Sequence, residues 1–261
     1  MQSYDSARNK QHKGKQFAER QGLHTNHIAC SLLKSPQIKE EDKAKEIYLT
    51  KDELKALYEM PLNGFEEQVR DVFLIGCFTA LRYSDYSRIE IGVTHSGTKV
   101  IRLRQEKTAG IVVIPILDDR LEALLKKYDY NIPKIWDQNL NRTIKEICKR
   151  LSESVSSLQK KERTVLTLKE RRAEQEAKKK GVPLYEYDEQ GFPLKARWEL
   201  VSSHTARRSC ITNMYLSKKY TILQMMSVSG HKSESMFFQY VKLSLDEYAD
   251  SVASAATDGL F

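Results

Sequence analysis

No apolar run in this sequence approaches the roughly 18 residues that a bilayer-spanning helix needs. The opening residues, MQSYDSARNKQHKGKQ, contain no apolar stretch of the kind that directs secretion, so no secretory leader is expected. Cysteine is scarce, with four residues: Cys30, Cys77, Cys148 and Cys210. They lie far apart and never form a CxxC pair, which argues against a zinc site or a redox motif. No cluster of carboxylates, or of Cys with His, marks a metal site. There is neither an internal repeat nor a low-complexity tract.

The 261 residues are 40% apolar and 30% charged, enough to bury a core. The formal net charge is +8 and the pI is about 9.1. A basic balance suits a polyanionic partner, either nucleic acid or an anionic membrane surface. The missing apolar runs weaken the membrane reading and leave nucleic acid ahead. Cys77, in the run FLIGCF, reads as a small hydrophobe in the core. Unpaired thiols fit a cytosolic protein.

Residues 1–46 are polar and carry too few apolar side chains for a core of their own. QFAERQGLHTN reads as a helix end and turn, and Ser35-Pro36 with KEEDKAKE as an exposed linker. This segment is either a tail or the remnant of an upstream domain. From Tyr48 the pattern becomes that of a folded unit. Thr50 and Glu53 predict a capping box for KDELKALYEM, with Leu54, Leu57 and Tyr58 on one face. Asn63 and Glu66 predict the same for a second helix, whose run VRDVFLIGCFTAL is apolar on nearly all sides and therefore central. KVIRLRQ and IVVIPIL predict a hairpin through EKTAG. DDRLEALLKKY and NLNRTIKEICKRL have helical periodicity. Between 153 and 200, TVLTL alternates like a strand, KERRAEQEAKKKG reads as a charged helix or arm, and GVPLYEYDEQGFPLKARWELV has the turns of a second hairpin. Ser202 or Ser203 predicts the cap of HTARRSCITNMYL. TILQMMSVS ends at Gly230, a left-handed C-cap, and DEYADSVASAA forms the last helix.

Cleaving a phosphodiester requires a nucleophile, cations for the developing charge and an acid for the leaving oxygen. Tyrosine can supply the first as a covalent intermediate. Arginine suits the second, because its planar fork matches two phosphate oxygens. His204 and Arg207, at i and i+3 at a helix start, share one face beside a partial positive charge. Each candidate also has an ordinary structural reading. His204 and Arg207 fit a solvated surface pair, and His231 a polar residue after a cap. Tyr240 fits a half-buried core position, Arg82 an ion pair with Asp85, and Lys107 an exposed hairpin lysine.

Taken in order, TALRYSD, the lysine of QEKTAG, SSHTARRS, SGHKS and FFQYVK resemble the tyrosine recombinase family, in particular the integrases of bacterial mobile elements. Arg82, Lys107, His204, Arg207, His231 and Tyr240 occupy that family's six positions, with Tyr240 nine residues after His231. The likeness runs from about residue 46 to the end. It implies an α+β, mainly α, catalytic-domain fold with a small antiparallel sheet and hairpins packed on helices. It also implies a site-specific recombinase, for integration or excision of a mobile element, in which Tyr240 attacks the scissile phosphate to give a 3′-phosphotyrosine. Arg82 and Arg207 would grip the non-bridging oxygens, and Lys107 would protonate the 5′-oxygen. His204 would move a proton for Tyr240, His231 would hydrogen-bond the phosphate, and Asp85 would orient the site.

The resemblance further implies no cofactor, no metal and no ATP. The implied partners are double-stranded DNA carrying a specific recombination site and further copies of the chain, a tetramer on synapsed DNA, with no membrane. A bacterial cytoplasmic location, on the nucleoid when bound, is implied as well. Residues 1–46 would be what is present of a core-binding domain with its linker, and 47–261 the catalytic domain with an insertion near 158–200. Two other outcomes share features of this scaffold: a type IB topoisomerase-like enzyme that relaxes DNA, and a catalytically silent DNA-binding protein.

Overall fold

A computed structural model describes residues 45–256, so the expected remnant of a core-binding domain and Cys30 lie outside the described residues. The described residues divide into two units, 45 with 161–195, and 46–160 with 196–256. The second unit opens with α1 (Lys51–Glu59), started by the expected reciprocal caps: Glu53 N donates to Thr50 Oγ1 and Thr50 N to a Glu53 carboxylate oxygen. Helix α2 (Gly64–Thr79) is the buried centre, with Val69, Phe73, Leu74 and Ile75 inaccessible to solvent. The expected Asn63 cap is absent, because Asn63 makes no side-chain bond there. Gly64 enters the helix at φ +57, away from the helical φ that a capping geometry needs.

At the end of α2 the chain changes direction sharply. Ala80 turns left-handed at φ 55, its N–H bonded to Gly76 O, and the chain continues into a 3₁₀ helix at Tyr83–Arg88. A Cβ on Gly76 would lie 1.8 Å from the Tyr86 hydroxyl, so only glycine lets this 3₁₀ helix pack so closely on α2. The expected hairpin is present as β2 (Lys99–Arg104) and β3 (Ile111–Pro115), antiparallel with Arg102 opposite Val113. A strand the patterning did not predict, β1 (Glu90–Val93), adds to the outer edge of β2. Its side chains are mostly exposed, so it carries no buried alternation to read. Helices α3 (Asp119–Lys127) and α4 (Asp137–Leu151) come next, as their periodicity predicts. Leu140, Ile144, Ile147 and Leu151 form the buried stripe of α4.

In the other unit, β4 (Lys161–Arg163) precedes α5 (Leu168–Lys179), and β5 (Glu186–Tyr187) pairs antiparallel with β6 (Pro193–Ala196). The second hairpin is therefore present, and the charged segment is a helix. TVLTL is not a strand: β4 ends before it, and Thr167 instead caps α5 through a reciprocal pair with Glu170. A local side-chain cap outcompetes period-two patterning over so short a run.

The second unit resumes with the single turn α6 (Arg197–Leu200) and with α7 (Ser203–Leu216), whose N-cap is Ser202. Then come α8 (Ile222–Ser229), α9 (Glu234–Phe238) and α10 (Leu245–Ala256). Gly230 closes α8 at φ 71, as its position predicts. Two apolar clusters result. The larger gathers α1 to α4 and the sheet, and holds Cys77 as a buried small hydrophobe. The smaller joins Ala80, Cys210, Ile211, Met225, Phe237 and Val241, with Tyr240 packed against it. Burying one such large apolar side chain contributes about 1.5–3 kcal/mol. Phe237, wholly buried, therefore anchors the short helix that leads to Tyr240.

Candidate active site

Arg207 lies in α7 and is only 1% exposed. A buried guanidinium requires acceptors, and two helix ends supply them. Nη1 donates to the carbonyl of Ala80 at 2.6 Å, and Nη2 to the carbonyl of Ser229 at 2.8 Å. These are the C-terminal carbonyls of α2 and α8, where the helix dipole places partial negative charge. Nη2 also approaches His231 Nε2 at 2.9 Å. Nε is buried and has no partner among the described residues. Burial, and next the proximity of Arg82, push the Arg207 pKa down to about 10, so it remains a cation at neutral pH.

The same guanidinium fixes the tautomer of His231. Its Nε2 faces a group that can only donate, so this nitrogen must accept. The proton of the neutral ring then sits on Nδ1, which donates to Ser229 Oγ at 2.8 Å; Ser229 Oγ in turn donates to Met225 O at 2.7 Å. Burial, then Arg207 and Arg82, push the His231 pKa down to about 3. The folded chain thus refuses a proton that the unfolded chain takes near its ordinary value of 6.5. Stability contributed by the neutral ring is complete above that value and is lost as pH falls toward the folded pKa. Unfolding free energy should drop by up to ~1.4 kcal/mol per pH unit below about 6.5. Urea unfolding between pH 5 and 7 checks this, and His231→Asn should flatten the slope; an unchanged slope would assign it to other groups.

Tyr240 stands half-buried just beyond α9. Its ring lies 4.8 Å from that of His231, and the Arg207 guanidinium carbon sits 5.0 Å from its centroid. Its backbone is pinned at both ends: N–H to Phe237 O at 2.9 Å, and the carbonyl accepting from Thr212 Oγ1 of α7 at 3.2 Å. Arg82 stands at the residue before the 3₁₀ helix without a side-chain capping bond, and its buried Nη1 has no partner among the described residues.

Asp85 departs from the expected ion pair: among the described residues no Arg82–Asp85 bridge forms. Wholly buried, Asp85 accepts the backbone N–H of Glu106 at 2.8 Å, while its other oxygen has no partner among the described residues. Its contact thus goes to the β2–β3 turn, because the 3₁₀ helix turns its side chain toward that hairpin.

The fold brings Arg82, Arg207, His231 and Tyr240 together. Lys107 and His204 make no hydrogen bond or ion pair with these four. Lys107 is exposed in the turn between β2 and β3. His204, the second residue of α7, is exposed at the helix start, and partial desolvation, then Arg208, lower its pKa. His204 and Arg207 share a helix face as their spacing predicts, yet one is exposed and the other buried. Ser229 and Gln105 join the site without having been singled out. Ser229 sits directly before the Gly-His pair and Gln105 two residues before Lys107, which is the only signal either gave. Among the described residues no group of three or more His, Cys, Asp or Glu could hold a metal, and no helix is long and apolar enough to cross a membrane.

The model of the phage integrase family matches residues 47–247, a stretch that contains all of these positions. No curated protein sequence matches the chain significantly. A solved structure of a lambda integrase dimer bound to a COC′ core site is 16% identical with a TM-score of 0.52, covering 90% of this chain and 71% of that one. The XerA recombinase is 14% identical with a TM-score of 0.49, over 85% of this chain and 67% of that one. XerH bound to difH in a pre-cleavage complex is 13% identical with a TM-score of 0.48, over 85% of this chain, which spans only 58% of its length. The family match covers most of the sequence, and the lambda integrase likeness supports the mainly helical fold with small antiparallel sheets. The chain belongs to the phage integrase family.

Proposed function

We propose that this chain cleaves and rejoins DNA at a specific site through a 3′-phosphotyrosine formed by Tyr240. One observation carries the reading: two buried arginine nitrogens, Arg82 Nη1 and Arg207 Nε, have no partner among the described residues, and the Arg207 guanidinium lies over the Tyr240 ring. A buried donor left unsatisfied costs about 1–3 kcal/mol. Two non-bridging phosphate oxygens would satisfy both and bring the phosphorus to the tyrosine.

In the proposed step the Tyr240 oxygen forms a bond to phosphorus and the bond to the 5′-oxygen breaks. The phenolic proton leaves by way of His204, and the Lys107 ammonium gives its proton to the departing oxygen. Attack by a 5′-hydroxyl reverses the step, so the bond energy is kept and no ATP is consumed. His231 Nε2 accepts from Arg207 Nη2. For Nε2 to donate to the phosphate, the proton on Nδ1 would leave to solvent and solvent would return one to Nε2, with Ser229 Oγ turning its own proton from Met225 O to Nδ1.

A net charge of +8 supports a duplex DNA partner, as does the core-site DNA bound by the lambda integrase. A role in moving a mobile element, a tetramer on synapsed DNA, a core-binding remnant at 1–46 and an insertion near 158–200 belong to the same proposal. The test is a nicked duplex carrying the recombination site, from which the cleaved strand end diffuses away. A covalent protein–DNA adduct that survives detergent is expected. Binding without any adduct would instead identify a silent DNA-binding protein, and relaxation of plasmid without exchange a topoisomerase-like enzyme.

A further inference from the structure

A general acid works only within hydrogen-bond reach of the leaving oxygen. Lys107 sits on an exposed turn at the end of a flexible four-carbon side chain, so the turn itself must be held. Gln105, the residue after β2, is only 1% exposed although it is polar. Its Nε2 donates to the Ser229 carbonyl at 3.3 Å, and its Oε1 accepts from Thr108 Oγ1 inside the turn at 2.7 Å. Its backbone closes the same turn, N–H to Gly110 O at 2.8 Å and carbonyl from Ala109 N at 3.0 Å.

Gly230 makes this approach possible. A Cβ there would lie 2.5–2.7 Å from the Gln105 amide, closer than non-bonded neighbours approach real Cβ atoms. Glycine before His231 therefore serves two ends, the left-handed cap and the seat of Gln105. The carbonyl that Gln105 reaches is also the one that holds Arg207 Nη2. One acceptor thus joins the lysine hairpin to the cation pocket.

We propose that Gln105 is a positioning residue that sets Lys107 against the leaving oxygen, its amide bridging Thr108 of the turn and the Ser229 carbonyl beside Arg207. This rests on the reading of Lys107 as the acid, and the test separates the two. A duplex whose scissile 5′-oxygen is replaced by sulfur has a leaving group that departs as a thiolate and needs no proton. Single-turnover cleavage by the full chain would be measured on the oxygen and the sulfur substrate, for the unaltered protein and for Lys107→Ala, Gln105→Ala, Gln105→Met and Thr108→Val.

Both Gln105 variants should lose about 10–100-fold on the oxygen substrate, as a misplaced acid does, and return to within about threefold of the unaltered protein on sulfur. Lys107→Ala should show the same rescue, and Thr108→Val a smaller loss in the same sense. DNA affinity should not change. If Gln105→Ala fails to fold, as thermal unfolding would reveal, Gln105→Met and Thr108→Val carry the test. Equal losses on both substrates, or no loss on oxygen, overturn the role of Gln105. A Lys107→Ala defect that sulfur does not rescue overturns the acid assignment, and this inference with it.

Discussion

Tyr240→Phe should abolish the covalent protein–DNA adduct while leaving the fold and DNA affinity nearly intact. The substitution removes one oxygen from a half-buried ring. The contacts of that ring with the His231 imidazole and the Arg207 guanidinium, and its packing against the smaller cluster, do not need the hydroxyl. A stability change within about 0.5 kcal/mol is expected. Cleavage should fall by ~10⁴-fold or more, since loss of a covalent nucleophile leaves no route to the intermediate. A nicked duplex, denaturing gel and parallel binding titration measure both quantities. An adduct that persists in the variant would move the nucleophile to another tyrosine, and Tyr215 and Tyr220, packed on the same cluster, would be the first to substitute.

Arg207→Ala should separate cleavage from binding. One positioned donor to a developing charge is worth about 3–4 kcal/mol, so single-turnover cleavage should drop by roughly 10²–10³. DNA affinity should change by about tenfold at most, because this is one phosphate contact among many. The alanine also strips hydrogen bonds from the Ala80 and Ser229 carbonyls and from His231, so a loss of about 2–4 kcal/mol in stability should accompany it. Arg207→Lys is the companion variant. It keeps the charge but lacks the fork that reaches both helix ends, and cleavage should still fall by ~10². Equal losses in binding and cleavage would place Arg207 in DNA docking rather than at the phosphate.

The helices with local signals were legible in the sequence: Thr50 with Glu53 marked the start of α1, and Gly230 marked the end of α8. The β2–β3 hairpin was legible because Gly110 marks a turn between two β-branched runs. Where two local preferences competed, patterning alone misled. TVLTL reads as a strand until Thr167 is used as a cap, and Asn63 reads as a cap until Gly64 takes a left-handed entry.

What the sequence by itself determined is the set of chemical groups and their order: Arg82, Lys107, His204, Arg207, His231 and Tyr240 are side chains, and side chains are written in the sequence. Their depth and their partners were decided only by tertiary structure. Arg207 is held by the carbonyls of Ala80 and Ser229, from helices that meet it from distant parts of the chain. Asp85 bonds not the nearby Arg82 but the backbone of Glu106 in the hairpin. Every residue carries a carbonyl and nearly every one an N–H, so a backbone partner leaves no mark on residue identity. Which of them is free to accept depends on where helices end and what packs beside them, and that is settled only when the core closes.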